Sequence, residues 1–170
     1  MGMSMPAWYD IVRPRDTVGL HISPPMFEPS SYSSRLTQES QTNFGDLQVG
    51  QDEPGILKSR DYFHGLIKAE VDGGIASDRV VLGGFSQGGA MSLFSGITAP
   101  YKLGGIFGLS CYLVLHNKIK DLIPANNPNQ DTPILMGHGD ADPLVKPQWG
   151  ERTAHMLKEL GFGVSLNFYQ

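Results

Sequence analysis

Two short stretches hold the residue types that could do chemistry. One is Gly84-Phe85-Ser86-Gln87-Gly88, a serine with a glycine two residues to either side; the other is His138-Gly139-Asp140-Ala141-Asp142-Pro143, where carboxylates cluster. A serine hydroxyl is a poor nucleophile until a histidine takes its proton, and that histidine needs a carboxylate to hold its tautomer and stabilise the imidazolium. The chemistry open to this set is attack of Ser86 on an acyl carbonyl, with an acyl-serine intermediate that water releases. On a sheet of alternating strands and helices such a triad runs serine, then aspartate, then histidine along the chain. Ser86 and an aspartate of the 140–142 loop satisfy the first two terms.

The bare Gly-x-Ser-x-Gly pattern says little in a chain with 21 glycines. Its setting says more. Val80, Val81 and Leu82 form a short apolar run before it, and Ala90, Met91, Leu93 and Phe94 continue behind it as a compact apolar helix. Strand, tight turn and helix in that order are what a nucleophile elbow requires, with glycines letting the two elements approach. The helix that starts behind Ser86 also points its free amides and positive dipole end at charge developing on a substrate. A glycine-rich corner with an incidental serine weighs less, because the pattern sits where the mechanism needs it.

The remaining elements alternate. Met5 to Val12 is apolar and aromatic but too short and proline-marked to read as a firm strand, and residues 13–49 show neither helical nor strand period, which marks an irregular insertion. Asp52-Glu53-Pro54 opens a helix in which Ile56, Phe63, Ile67 and Val71 repeat on one face, with Tyr62 and Leu66 widening it, until Gly73-Gly74. Strands follow at 105–109 and 133–137, the second after an irregular stretch at 111–129; then come a helix from Pro147 to Leu160 closed by Gly161 and a last strand at 164–169. Apolar strands joined by helices or long crossovers predict an α/β fold, a mainly parallel sheet with helices on both faces. Ligands bind such sheets at the carboxyl ends of the strands. Ser86 and Asp142 are therefore expected past the ends of neighbouring strands, with room for an imidazole between them.

Composition bounds the alternatives. The chain has 170 residues, 40% hydrophobic and 18% charged, which suits one globular domain. A formal net charge of -4 with no Lys/Arg cluster makes no case for nucleic acid or for an anionic membrane surface. The single cysteine, Cys111, excludes an intrachain disulfide and a cysteine-based zinc cluster, and points to a reducing, cytoplasmic home. Its place just after a strand suits a packed thiol better than a nucleophile. No run is apolar enough to span a bilayer, no secretion signal is legible at the amino terminus, and Pro6 stands where a myristoylation signal needs Ser or Thr. No cofactor or metal is called for.

Together with Leu109-Ser110-Cys111-Tyr112-Leu113, the run His138 to Val145 and the opening Met5-Pro6-Ala7-Trp8-Tyr9-Asp10-Ile11, the elbow motif resembles the acyl-protein thioesterase family, in the phospholipase/carboxylesterase group of α/β-hydrolases. The likeness spans 5–11 and 52–170. It implies a partial α/β-hydrolase fold over 1–170, Ser86 as nucleophile, Asp142 rather than Asp140 as the triad acid, and the Gln87 backbone N–H as half of the oxyanion hole. It implies S-palmitoylated proteins as substrates, with lysophospholipids or small carboxylic esters as alternatives; a non-catalytic acyl- or partner-binding remnant is the reading from another class. The departures are expectations too. The family's early strands and His-Gly-rich loop have no counterpart before Met5, and its histidine, in a Gly-x-x-His type loop after the last strand, would fall beyond Gln170. Of the five histidines, His21 lies in the insertion, His64 on the first helix and His116 between serine and acid; His138 is expected to support the acid loop and His155 to face solvent. The insertion together with two departures at the ends suggests a gene product in which residues near 17–43 derive from retained intron.

Overall fold

The computed structural model describes residues 8–12 and 50–170, so the expected insertion and its proposed origin lie outside the described residues. Five strands form one sheet in the order β1-β2-β3-β4-β5. They are β1 (Trp8–Val12), β2 (Val81–Phe85), β3 (Gly105–Leu109), β4 (Ile134–Gly139) and β5 (Val164–Tyr169). β2 to β5 run parallel and in sequence order, which makes every connection a crossover on the same side of its strand. Helices lie in those crossovers: α2 (Gln87–Ile97) joins β2 to β3, α3 (Ile119–Leu122) sits in the β3–β4 connection, and α4 (Pro147–Glu159) joins β4 to β5, while α1 (Glu53–Asp72) precedes β2.

Local signals placed most of these boundaries. The Asp52 side chain accepts from the Gly55 N–H at 3.1 Å and Pro54 sits in the first turn, so α1 begins where its cap and proline say. Phe63 and Ile67 turn inward, while Tyr62 is exposed and does not widen the buried face. Gly161, at φ +85°, ends α4 as the sequence implies. One segment differs from its reading: Trp8–Val12 is a strand, antiparallel to β2 with Tyr9 opposite Gly84. Pairing with β2 decides this, because a strand's backbone bonds are made with a neighbour distant in sequence and leave little local trace.

Register gives the two sheet faces different fates. Leu82, Ile106 and Ile134 align across β2, β3 and β4 and are buried, followed one pleat on by Gly84, Gly108 and Met136. α2 lies on this face, with Gly96 against Ile106 and Leu93 against Gly108; α4 lies on it too, with Gly150 against His138, and α1 packs on α2. The core is the sum of these contacts, with Leu93, Phe94, Ile97 and Leu157 wholly buried. The opposite face carries Phe107, Leu109 and Leu135, the last 46% exposed. Helix cover is thus present on one face among the described residues.

At Gly89 the helix presses against the backbone of the sheet. A Cβ there would stand 2.8 Å from the Gly84 carbonyl oxygen and 3.1 Å from Cys111 Sγ. Gly89→Ala would gain about 1 kcal/mol of helix propensity, but a backbone oxygen of the sheet cannot step aside, and overpacking of this kind costs roughly 1–3 kcal/mol. The variant is expected to unfold at lower urea concentration than the parent. An equal or higher midpoint would show that α2 does not press on β2 as described.

Candidate active site

Ser86 is the residue between β2 and α2, at φ 53° and ψ -123°. Positive φ in a residue with a Cβ costs on the order of 1–3 kcal/mol and persists only where the surroundings over-determine it. Here two hydrogen bonds and a strand pairing do so. The Ser86 N–H donates to the Leu109 carbonyl across β3 at 2.8 Å, the Ser86 carbonyl accepts from the Ala90 N–H at 2.9 Å, and Phe85 pairs with Leu109 in the sheet. A serine at a helix N-cap ordinarily turns its hydroxyl back to the first amides. Ser86 makes no such bond, so its hydroxyl is not spent on the first amides of α2, and the residue is half-buried.

Asp142 lies in the loop after β4. Its Oδ1 accepts from the Leu144 N–H at 2.9 Å and the Val145 N–H at 3.0 Å, a tight turn built on its own side chain. His138 holds the far side of that turn: its Nε2 is 2.8 Å from the Val145 carbonyl oxygen. A carbonyl only accepts, so Nε2 carries the proton. The same nitrogen is 3.9 Å from Asp142 Oδ2, and the ring is wholly buried, with its Nδ1 close to Gly150. Below the loop Val145 packs on the buried Trp149, which meets Tyr112 edge-on at 5.7 Å between ring centres. Burial pushes the Asp142 carboxyl upward, but the Val145 and Leu144 amides, the Ser110 hydroxyl and His138 together outweigh it, and the carboxyl is held below its ordinary value. Asp140, by contrast, is exposed. Of the loop's two aspartates, Asp142 is the one the fold has fastened.

Ser86 and Asp142 both stand past the carboxyl ends of parallel strands, but not of neighbouring ones. β3 runs between β2 and β4, so two strand spacings of about 4.8 Å each separate the strands themselves. The histidines are otherwise engaged. His64 Nε2 is 2.9 Å from the Ser95 carbonyl oxygen, with burial lowering its pKa; burial likewise lowers that of His116, which bonds at the Leu113 backbone; His155 is exposed beside Glu159. None of these contacts is with Ser86, and His21 lies outside the described residues. Cys111 is buried against Gly89 and Gly108, and burial pushes its thiol up to about 12, which is a packing role.

Sequence reasoning passed over Ser110 as anything more than part of a motif. It has φ 45° and its N–H donates to the Gly137 carbonyl at 2.8 Å, the same backbone arrangement as Ser86 one strand along. The signal was present: Gly84-Phe85-Ser86 ends β2 and Gly108-Leu109-Ser110 ends β3.

This is the sheet and strand-end layout of the α/β-hydrolases. The sequence profile of the family described as Phospholipase/Carboxylesterase matches residues 42–170, and the chain belongs to that family. Acyl-protein thioesterase 1 of Emericella nidulans is 49% identical, over 99% of this chain and 61% of the relative. The protein of the same name in Neurospora crassa is 45% identical, over 99% of this chain and 58% of its own length. Among solved structures, Arabidopsis thaliana SOBER1 superposes with a TM-score of 0.65 at 32% identity, covering 69% of this chain and 55% of that one. Zea mays acyl-protein thioesterase 2 gives 0.58 at 28% identity, over 69% of this chain and 56% of that one. The chain thus spans about three fifths of the length of the curated relatives it matches.

A lowered carboxyl pKa in the folded state stabilises the fold above the ordinary carboxylate range, and that stability is lost as pH falls through the lowered value. Asp142→Ala removes the acceptor of two amide bonds and is expected to cost about 1–3 kcal/mol at neutral pH. In urea titrations the parent's advantage should shrink steadily on acidification below the ordinary carboxylate value. A gap that is constant from neutral to acid pH would show that the charge on Asp142 contributes nothing to the loop.

Proposed function

We propose that this chain carries the nucleophile and the acid of a serine hydrolase of the acyl-protein thioesterase type. The observation that carries the reading is Ser86 itself, held at φ 53° on the end of β2 with its hydroxyl not used as a helix cap. In this reading Ser86 Oγ attacks the acyl carbonyl, and the Gln87 backbone N–H at the head of α2 receives the oxyanion. Asp142 orients a histidine supplied from outside the described residues, which takes the serine proton and returns it to the leaving thiol. Water then releases the fatty acid from Ser86 by the same base. Fatty acyl thioesters of S-palmitoylated proteins are the substrates in view, because the relatives of highest identity given above are named acyl-protein thioesterase 1. Lysophospholipids and small carboxylic esters are the alternatives, in keeping with a family described as Phospholipase/Carboxylesterase. A cytoplasmic site of action fits such substrates, and no helix among the described residues is long and apolar enough to cross a membrane.

No described histidine is bonded to Ser86, and loss of a triad member typically lowers turnover by on the order of 10⁴ to 10⁶. The 170-residue polypeptide by itself is therefore expected to hydrolyse a palmitoyl thioester no faster than its Ser86→Ala variant. A chimera extended at both ends with the corresponding segments of the Emericella nidulans relative should turn the thioester over and label at Ser86 with a fluorophosphonate. Both signals should vanish on Ser86→Ala, and turnover should fall at least a hundredfold on Asp142→Asn. A chimera that is active but indifferent to Ser86 would refute the assignment, and one that binds acyl chains without turnover would favour an acyl-binding role.

A further inference from the structure

We infer that His138 is a positioning residue for Asp142 that acts through Val145 and is seated by Gly150 of α4. The side-chain bonds form a circuit within the acid loop. His138 Nε2–H donates to the Val145 carbonyl at 2.8 Å, and the Val145 N–H donates to Asp142 Oδ1 at 3.0 Å. One residue is thus held by the histidine at its carbonyl and by the acid at its amide. The direct path is too long: Nε2 stands 3.9 Å from Asp142 Oδ2, beyond hydrogen-bond length. His138 therefore fixes the acid by fixing Val145, and the circuit engages Oδ1 while Oδ2 lies outside it.

The other ring nitrogen explains how the histidine is seated. The residue is 1% exposed, and Nδ1 is buried with no hydrogen-bond partner. A proton at Nδ1 would be enclosed without an acceptor, so the site selects the Nε2–H tautomer, the one that reaches Val145. Gly150 faces the bare nitrogen: a Cβ there would stand 2.6 Å from Nδ1 and 3.3 Å from Cε1. Glycine is a poor helix former, yet Gly150 is buried inside α4, and the room it leaves is taken by the ring. Its neighbour Trp149 packs against Val145, so one turn of α4 seats the histidine and backs the residue it holds. The same features exclude His138 as the base for Ser86, since the ring is enclosed and its N–H is committed to a backbone carbonyl. The inference rests on the hydrolase reading for its consequence, because a positioned acid matters only if a base is to lean on it. The geometry itself does not need turnover.

The test uses the full 170-residue chain and three variants. Nitrogen-15 NMR reads which ring nitrogen of His138 carries the proton, and carbon-13 carboxyl NMR reads the Asp142 titration midpoint. In the parent at neutral pH, Nε2 should be protonated and Nδ1 bare. Burial raises the Asp142 carboxyl and the Val145 amide is first among the groups that lower it, so a loosened Val145 lets the midpoint rise. His138→Leu fills similar space without a donor, and Gly150→Ala keeps the donor but pushes the ring off its seat. In both, the Asp142 midpoint should move up and the Val145 amide should exchange with solvent roughly tenfold faster, as for the loss of one hydrogen bond. His138→Gln, whose side-chain N–H can replace Nε2–H at the Val145 carbonyl, should return both readings toward the parent. A ring that served by bulk alone would leave His138→Leu nearer the parent than His138→Gln. That order, equal shifts in the two, or a proton on Nδ1 of the parent overturns the inference. If His138→Leu or Gly150→Ala does not fold, the parent tautomer and the His138→Gln midpoint decide, and failure of either one overturns it. The two readings fail separately: an inactive chimera whose chain shows the expected Asp142 shifts sinks the hydrolase alone, and an active one with an unmoved midpoint sinks the role of His138 alone.

Discussion

The contact between α2 and β2 is what the rest of the structure depends on. The helix comes so near that a Cβ at Gly89 would meet the Gly84 carbonyl oxygen at 2.8 Å. With the two elements that close, the chain has one residue in which to reverse from strand to helix, and that residue must take a conformation ordinary side chains avoid. Ser86 takes it, so the same closeness that buries Leu82 and Leu93 also lifts the serine out at the strand's end. Cys111 belongs to this arrangement as filler. Its sulfur occupies the space that missing side chains at Gly89 and Gly108 leave between helix and sheet, and its burial keeps it protonated.

Strain and packing are divided between opposite ends of the molecule. At the amino end of the parallel strands, Asn129 is wholly buried and fully used: its side chain accepts from the Leu103 N–H and donates to the Ala99 and Tyr101 carbonyls, and Thr132 bonds to it. That clasp ties the α2–β3 turn to the segment before β4 with no group left over. At the carboxyl end the residues are held in unfavourable φ, and a buried nitrogen, His138 Nδ1, has no bonded partner. Stability concentrated at one end supports strained, partly open groups at the other, which is where a sheet of this kind binds ligands.

The acid loop shows how little long-range machinery a carboxylate needs to be fastened. Two amides from its own turn and one histidine from the strand before it fix Asp142, all within the run from His138 to Val145. The apolar support under that loop is likewise local to α4 and the segment after β3, through Trp149 and Tyr112. The loop is thus a module that carries its acid largely preformed, and what the sheet adds is its direction.

The sequence by itself determined the elements and the chemistry-bearing residues. Asp52 and Pro54 at the start of α1, Gly161 at the end of α4, and the strand-glycine-serine-glycine-helix order around Ser86 are local signals whose physics acts within a few residues, so they can be read without a fold. The choice of Asp142 over Asp140 came from resemblance; the bonds of the Asp142 side chain to the Leu144 and Val145 amides are a local turn. Tertiary structure decided what depends on neighbours. Trp8–Val12 became a strand only by pairing with β2, Tyr62 turned outward although its helical spacing put it near the buried face, and β3 came to lie between the serine and the acid. Strand order and register are set by which surfaces meet across the sheet, and a period of two along a strand carries no record of its partner. Ser110 illustrates both sides: its Gly-Leu-Ser echo of the elbow is written in the chain, but the Gly137 carbonyl that its N–H meets belongs to the next strand, and only the folded sheet brings the two together.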